Sequence, residues 1–347
     1  MVLHSTMRVA VMVGIGKVEI QERPIPVPKP GEALVRIKSV GICGSDVHYF
    51  LEGKIGDFVV NPPFILGHEC AGEVVEVGKG VKKVRPGDRV ALEPGIPCGN
   101  CKFCRSGRYN LCPDIAFWAT PPVDGVFCEY VVHPEFLLYP LAQGVSFEEG
   151  ALVEPFAVGV YAAQRANVKP GETVLILGGG PIGLLILQAL RIQGVARVIV
   201  VDVFEFRLRK AWELGATAII NANEMPAQEE ILDLTGGEGV DVVFEAAGSI
   251  MTTRIVTEVV RSGGKVVLVG FSPQTPLDIS KIIVKELDVL GSWRYANVYE
   301  KATEFLNAGK VDLQSLITHR FSLEETEKAL IFAHEHRMDS IKIVVDV

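Results

Sequence analysis

The sequence predicts two domains of different texture: a mostly-β domain, and an α/β domain built on a doubly wound parallel sheet. Three observations predict this. The first half of the chain runs in short β-type stretches punctuated by Gly and Pro. From about Glu154 apolar strand-like runs alternate with helical patterns. After Trp293 the pattern turns mixed again, so the tail is expected to rejoin the first domain. The expected division is 1–156 with 292–347 for the mostly-β domain and 157–291 for the α/β domain.

The elements follow in order. Met7–Val13, Ala33–Ser39, Ala71–Val77, Arg89–Leu92 and Phe127–His133 alternate with period two, as half-buried strands of a small barrel or sandwich do. Thr173–Leu177, Arg197–Val201, Ala218–Ile220, Val240–Glu245, Lys265–Val269 and Leu287–Leu290 are apolar runs of the kind that parallel strands buried on both faces require. Pro181–Gln193 and Phe204–Leu214 carry helical patterns between them. In the tail, Ala302–Leu306 and Glu324–Ala333 read as helices and Ile341–Val345 as a strand.

Composition narrows the function. The chain has 347 residues, 48% of them hydrophobic, and a formal net charge of −8. That supports a sizeable core and argues against disorder, and an acidic surface suits neither nucleic acid nor an anionic membrane. The longest uncharged stretch, Thr173–Leu190, is long enough to raise the question of a membrane span. Gly178, Gly179, Gly180, Pro181 and Gly183 interrupt it, so strand, turn and helix is the better reading. The N-terminal residues lack a signal-peptide layout, and a cytoplasmic protein is expected. The cysteines number seven, an odd count, with four crowded into one stretch, which points to metal rather than disulfides.

Three motifs carry chemistry. Gly178-Gly179-Gly180-Pro181-Ile182-Gly183 is a G-x-G-x-x-G turn between a strand and a helix. Gly178 permits the turn, Gly180 lets backbone approach a pyrophosphate, and Gly183 lets the helix pack on the strand. The next strand ends in Asp202, at about the spacing of a ribose-binding acid. A carboxylate there accepts from both ribose hydroxyls of NAD and repels the extra phosphate of NADP. Arg207 could reach the ribose of either cofactor or be a solvated helix residue. The second motif, Cys98, Cys101, Cys104 and Cys112, has the pattern C-x2-C-x2-C-x7-C. Four thiolates around zinc make a closed, structural site. An iron–sulfur cluster has similar spacing, but no second cysteine group accompanies it. Third, Cys43, His68, Glu69 and Glu154 offer sulfur, imidazole and carboxylate from separate turns, and spacing alone leaves open whether they form a second metal site.

Together Gly41–His48, Gly67–Gly72, the Cys98–Cys112 lobe and the Gly178–Gly183 turn resemble the zinc-dependent medium-chain alcohol dehydrogenases, over essentially the whole chain. Cys43-Gly44-Ser45-Asp46-Val47-His48-Tyr49, Gly107–Leu111, Ala119–Pro122, Glu148–Leu152 and Arg294-Tyr295 resemble the sorbitol (L-iditol) or polyol dehydrogenase branch. The resemblance implies a GroES-like β-barrel catalytic domain and a Rossmann cofactor domain. It implies two zinc ions per chain, NAD, a small polyol as substrate and a homotetramer. One zinc would be held by Cys43, His68 and Glu69 plus water, with Glu154 holding the water or substrate or touching the metal in some states. Glu154 stands where ordinary relatives have a cysteine. The other zinc would sit in the four-cysteine lobe, which some animal sorbitol dehydrogenases lack.

By the same resemblance Ser45 and His48 match proton-relay positions, although His48 fits a surface residue on a short helix equally well. Tyr49, Phe117, Glu154, Arg294 and Tyr295 match substrate-contacting positions, with core packing a rival for Phe117 and Tyr295. Ile182, Val269, Phe271 and Arg294 join Gly178, Gly180, Gly183, Asp202 and Arg207 as cofactor-binding candidates. The implied reaction takes hydride from a secondary hydroxyl to NAD and leaves a ketose. Two rivals remain: a related dehydrogenase for threonine or a short diol, and a non-catalytic dinucleotide-binding relative.

Overall fold

The computed structural model describes residues 6–271 and 277–347. It divides into two compact units: one runs to Glu154 and resumes at Tyr299–Val347, and the other is Pro155–Val298. The chain thus leaves the second unit at Val298 rather than at the expected 291. The reason is backbone pairing: Ser292 N–H donates to Leu268 O at 2.9 Å, so the segment past strand Asp288–Gly291 still belongs to the parallel sheet.

The first unit is built on a seven-stranded sheet. Its path runs Leu138–Pro140, Arg89–Leu92, Glu69–Val77, Glu32–Gly41, Lys342–Asp346 and Ile317–Ser322, and Tyr130–Pro134 pairs separately with Glu32–Gly41. A hairpin, Thr6–Gly14 with Lys17–Pro24, packs beside it through bridges to Cys128 and Phe64. Val9, Val35, Ile37, Phe50, Phe127 and Val345 are among its fully buried side chains. The strand Lys342–Asp346 is antiparallel to Glu32–Gly41, which closes the sheet with residues from the far end of the sequence.

The second unit is a six-stranded parallel sheet in the order Ala218–Asn221, Arg197–Asp202, Thr173–Leu177, Val240–Glu245, Val260–Leu268 and Asp288–Gly291. Val174, Leu175, Ile176 and Leu177 have no exposed surface, as a central strand covered by helices on both faces must. The chain reverses its direction across the sheet between Thr173–Leu177 and Val240–Glu245, and ligands of such sheets bind outside the strand ends at that switch. Among the described residues, no helix is long and apolar enough to cross a membrane.

One buried polar cluster ties the cysteine lobe to the first unit's sheet. Glu93 accepts from Tyr109 Oη at 2.7 Å and from Tyr139 Oη at 2.8 Å, and burial pushes its carboxyl up. His133 Nε2 donates to Glu93 O at 2.7 Å, and the ring centre lies 4.2 Å from that of Trp118, tilted by 38°. Burial pushes the His133 imidazole down from 6.5 to about 4. Between those values the unfolded chain binds the extra proton, so stability falls as the medium becomes more acid. We expect denaturant titrations of the wild type to lose about 2 kcal/mol more than His133→Gln between pH 7 and pH 5. Parallel losses in both proteins would show that His133 charges freely in the fold.

Candidate metal centre and dinucleotide site

Strand Glu32–Gly41 delivers Cys43 to the start of helix Gly44–Glu52, where Cys43 is the extended residue ahead of the first turn. The helix stops at Gly53, whose left-handed backbone (φ 71°) closes on Tyr49 O. Asp46, in the helix's first turn, accepts from Cys43 N–H at 3.0 Å and from Gly67 N–H at 2.9 Å. One buried carboxylate therefore ties the Cys43 turn to the turn that carries His68 and Glu69. Asp46 Oδ1 also lies 3.7 Å from His68 Nδ1. The His68 ring packs 5.7 Å from Phe117, which covers one side of it.

The Cys43 thiol, a His68 nitrogen and a Glu69 carboxylate oxygen all lie within 4.8 Å of one another. This is a mixed S, N, O donor set, the kind that open zinc sites use. His68 Nδ1 is buried without a hydrogen-bond partner, as a metal-site imidazole held by protein contacts alone would be. Glu69 Oε1 accepts from Lys342 Nζ at 2.6 Å, and Oε2 lies 2.5 Å from the same nitrogen. Gly41 makes room for that carboxylate, because a Cβ there would fall 2.1 Å from Glu69 Oε2. Glu154 opens helix Val153–Ala166 and is buried, close enough for its charge to act on Lys342.

In the lobe, Cys98, Cys101, Cys104 and Cys112 bring their sulfurs within 4.8 Å of one another. The Cys101–Cys104 and Cys98–Cys104 separations are 3.5 and 4.0 Å. Thiolates at tetrahedral corners around zinc stand about 3.8 Å apart, whereas a disulfide needs about 2 Å. All seven cysteines are free. Backbone N–H groups of Asn100 and Cys101 lower the Cys98 thiol to about 7, while desolvation raises Cys104 to about 12. Arg105 Nε donates to Asn100 O at 2.7 Å, which closes the loop around the sulfurs.

In the second unit Gly178 takes φ 103°, which favours glycine, and a Cβ at Gly183 would fall 1.8 Å from Gly178 O. A Cβ at Gly180 would meet only Arg207 Nη1, at 3.7 Å, so the chain leaves an open cradle beside this turn. Helix Pro181–Ile192 starts there, and its first-turn N–H groups, Ile182 and Gly183 included, have no partner within the helix. Asp202 is buried at the end of its strand. Its Oδ2 accepts from Gly179 N–H at 2.7 Å, and its Oδ1 from Val203 and Phe204 N–H at 2.8 and 2.9 Å. Arg207 Nη1 stands 4.0 Å from Asp202 Oδ2, with its guanidinium over the Phe204 ring. These residues fit a dinucleotide's pyrophosphate and ribose.

The other candidates are placed as follows. Ser45 is half-buried in the first turn of helix Gly44–Glu52 and Tyr49 is buried near its end. His48 is exposed, with Nδ1 2.9 Å from Glu52 Oε1. Val269 N–H donates to Glu245 O at 2.9 Å, and Phe271 is 60% exposed. Tyr295 is buried, and Arg294 lies over Trp293 with a left-handed backbone (φ 50°) that a non-glycine residue rarely adopts. Sequence reasoning missed Asp46, Lys342 and Glu245. Glu245 Oε1 accepts from Ala247 N–H, Gly248 N–H and Thr252 Oγ1, which fixes the turn after its strand, and burial pushes its carboxyl up. Asp46 had a local signal, an acid three residues after the residue that caps its helix.

Comparison with known proteins places this geometry. Residues 29–143 match the alcohol dehydrogenase GroES-like domain, and residues 181–308 match the zinc-binding dehydrogenase family. The chain is 45% identical over 343 residues to the sorbitol dehydrogenase of Bacillus subtilis, covering 98% of this chain and 97% of that protein. An Escherichia coli oxidoreductase of unknown specificity aligns in structure with a TM-score of 0.95 at 41% identity, covering 98% and 99% of the two chains. A zinc-binding dehydrogenase from Sinorhizobium meliloti, solved with NADP, aligns with a TM-score of 0.92 at 33% identity, covering 99% and 100%. Zinc and a nicotinamide cofactor suit both sites. The chain belongs to the zinc-dependent medium-chain dehydrogenase family and, within it, to the branch of the sorbitol dehydrogenases.

Proposed function

We propose that this protein oxidises a secondary hydroxyl of a sugar alcohol to a ketose, using zinc and NAD. The observation that carries the reading is the meeting of Cys43, His68 and Glu69 within 4.8 Å, in a chain that also carries a dinucleotide turn. Cys43, His68 and Glu69 would hold the reactive zinc, and Cys98, Cys101, Cys104 and Cys112 a second, structural one. Bound there, zinc supplies a Lewis acid that lowers the pKa of a hydroxyl, and the nicotinamide supplies a hydride acceptor.

The chain's own residues do the rest. Phe117 shields the His68 imidazole from water on one side. Glu154 receives a substrate hydroxyl, and Tyr49 adds a group that pairs with another, which would be costly to bury unpaired. Ser45 takes the proton from the reacting hydroxyl and hands it toward exposed His48, whose Nδ1 is already engaged by Glu52. Asp202 selects NAD by receiving ribose hydroxyls where NADP has a phosphate. Val269 and Phe271 complete the cofactor's surroundings.

The free thiols favour a reducing, cytoplasmic setting. We further propose a homotetramer. The sheet-edge strand Asp288–Gly291 and the neighbouring Ile283 and Val284, 69% and 83% exposed, are surfaces that a second copy would cover.

Two tests follow. Metal analysis is expected to find two zinc ions per chain, and sorbitol or xylitol to drive NADH formation. Cys43→Ser is expected to abolish turnover and spare NADH binding. One zinc and no turnover on any alcohol would favour a non-catalytic role, and turnover of threonine or butanediol alone would favour the other branch. Asp202→Ala is expected to weaken NAD and shift the NAD-to-NADP preference by about tenfold, ~1.4 kcal/mol. An unchanged ratio would mean that Asp202 serves only the backbone it already holds.

A further inference from the structure

Lys342 opens the strand Lys342–Asp346, and only 4% of it is exposed. Its ammonium does two things. It donates to Ile42 O at 2.9 Å, one residue before Cys43, and it sits against both oxygens of Glu69, at 2.6 and 2.5 Å. The carbonyl anchors the ammonium, so the grip on the carboxylate is a fixed feature of the sheet. The titratable groups that face Lys342 are Glu69, Cys43 and Glu154, and Asp46 lies buried beside His68.

A carboxylate oxygen that already accepts from an ammonium has less electron density to give a metal. An ammonium this close also repels a second cation. Without a metal, the same ammonium keeps Glu69 from being a lone buried charge, which would be strongly destabilising. We propose that Lys342 is a positioning residue that competes with the pocket's metal for Glu69, and so keeps that carboxylate a weak, exchangeable ligand. The inference rests on the reading of Glu69 as a zinc ligand. Its consequence is a coordination position that opens readily for a substrate hydroxyl.

The test is zinc release from the loaded protein into a chelator, read beside the visible spectrum of the cobalt-substituted protein. Cobalt separates the two sites, because a one-thiolate pocket and a four-thiolate lobe absorb differently. Lys342→Met keeps the apolar stem and removes the charge. Release from the pocket is expected to slow by about tenfold, with a changed pocket spectrum and unchanged lobe bands. In a Glu69→Gln background the same substitution should leave release unaltered, because the contested carboxylate is gone. Lys342→Arg, which grips a carboxylate with two N–H groups, should release zinc faster and serves if the Met variant does not fold. Unchanged or faster release from Lys342→Met, or an effect that survives in Glu69→Gln, overturns the proposal and leaves Lys342 a structural ion pair. A wild-type pocket that takes up neither zinc nor cobalt would instead refute the functional reading beneath it.

Discussion

The metal centre depends on one buried carboxylate that is not itself among the converging ligands. Asp46 holds Cys43 N–H with one oxygen and Gly67 N–H with the other, so the two turns are fixed against each other just beyond the point where Gly41 pairs with Glu69. Hydrogen bonds to a charged acceptor contribute about 1.5–3 kcal/mol each. The pair sets where the thiol and the imidazole can be. The third donor, Glu69, is held from the opposite direction by a lysine on another strand. The site is thus framed by two ion-and-backbone contacts before any metal enters it. Such outer contacts orient ligands and tune the metal they hold.

The second unit solves a different problem with little side-chain chemistry. Its cradle is made by what glycine lacks: a side chain at Gly183 would strike Gly178 O, and one at Gly180 would fill the space beside the turn. Asp202 would combine two tasks, because the carboxylate proposed to receive the ribose hydroxyls already receives three backbone N–H groups. An aspartate in that role cannot be replaced by a group that only repels phosphate without loosening the turn.

Legibility in the sequence followed range and burial. Thr173–Leu177 and Val240–Glu245 could be read to the residue, because central parallel strands are apolar on both faces. Strand Val260–Leu268 was read only from Lys265, since Gly263 and Gly264 hide its first half and the pairing shifts register there. Strand Lys17–Pro24 left only a weak apolar signal, Val18 and Ile20 among four charged residues, because it is largely exposed along its length. Helix Val153–Ala166 is too uniformly apolar and small in side chain to show a period. The metal donors and the glycine turn were visible because they are local or carry a rare residue type. Lys342 was invisible for the opposite reason: it is an ordinary residue, 273 positions from the glutamate it holds.

That separation has a consequence for how the molecule is made. The strand bearing Lys342 leaves the ribosome only after the whole of the parallel-sheet unit, which lies between the two halves of the first unit in the sequence. A nascent chain therefore carries Cys43, His68 and Glu69 on an unclosed sheet edge throughout synthesis of the intervening unit. The residues that fill the edge and give the glutamate its ammonium come last in the order of synthesis. A metal held by Cys43, His68 and Glu69 would accordingly meet its finished pocket late, whereas one held by the cysteine lobe, contiguous in sequence, would not have to wait for the far end of the chain.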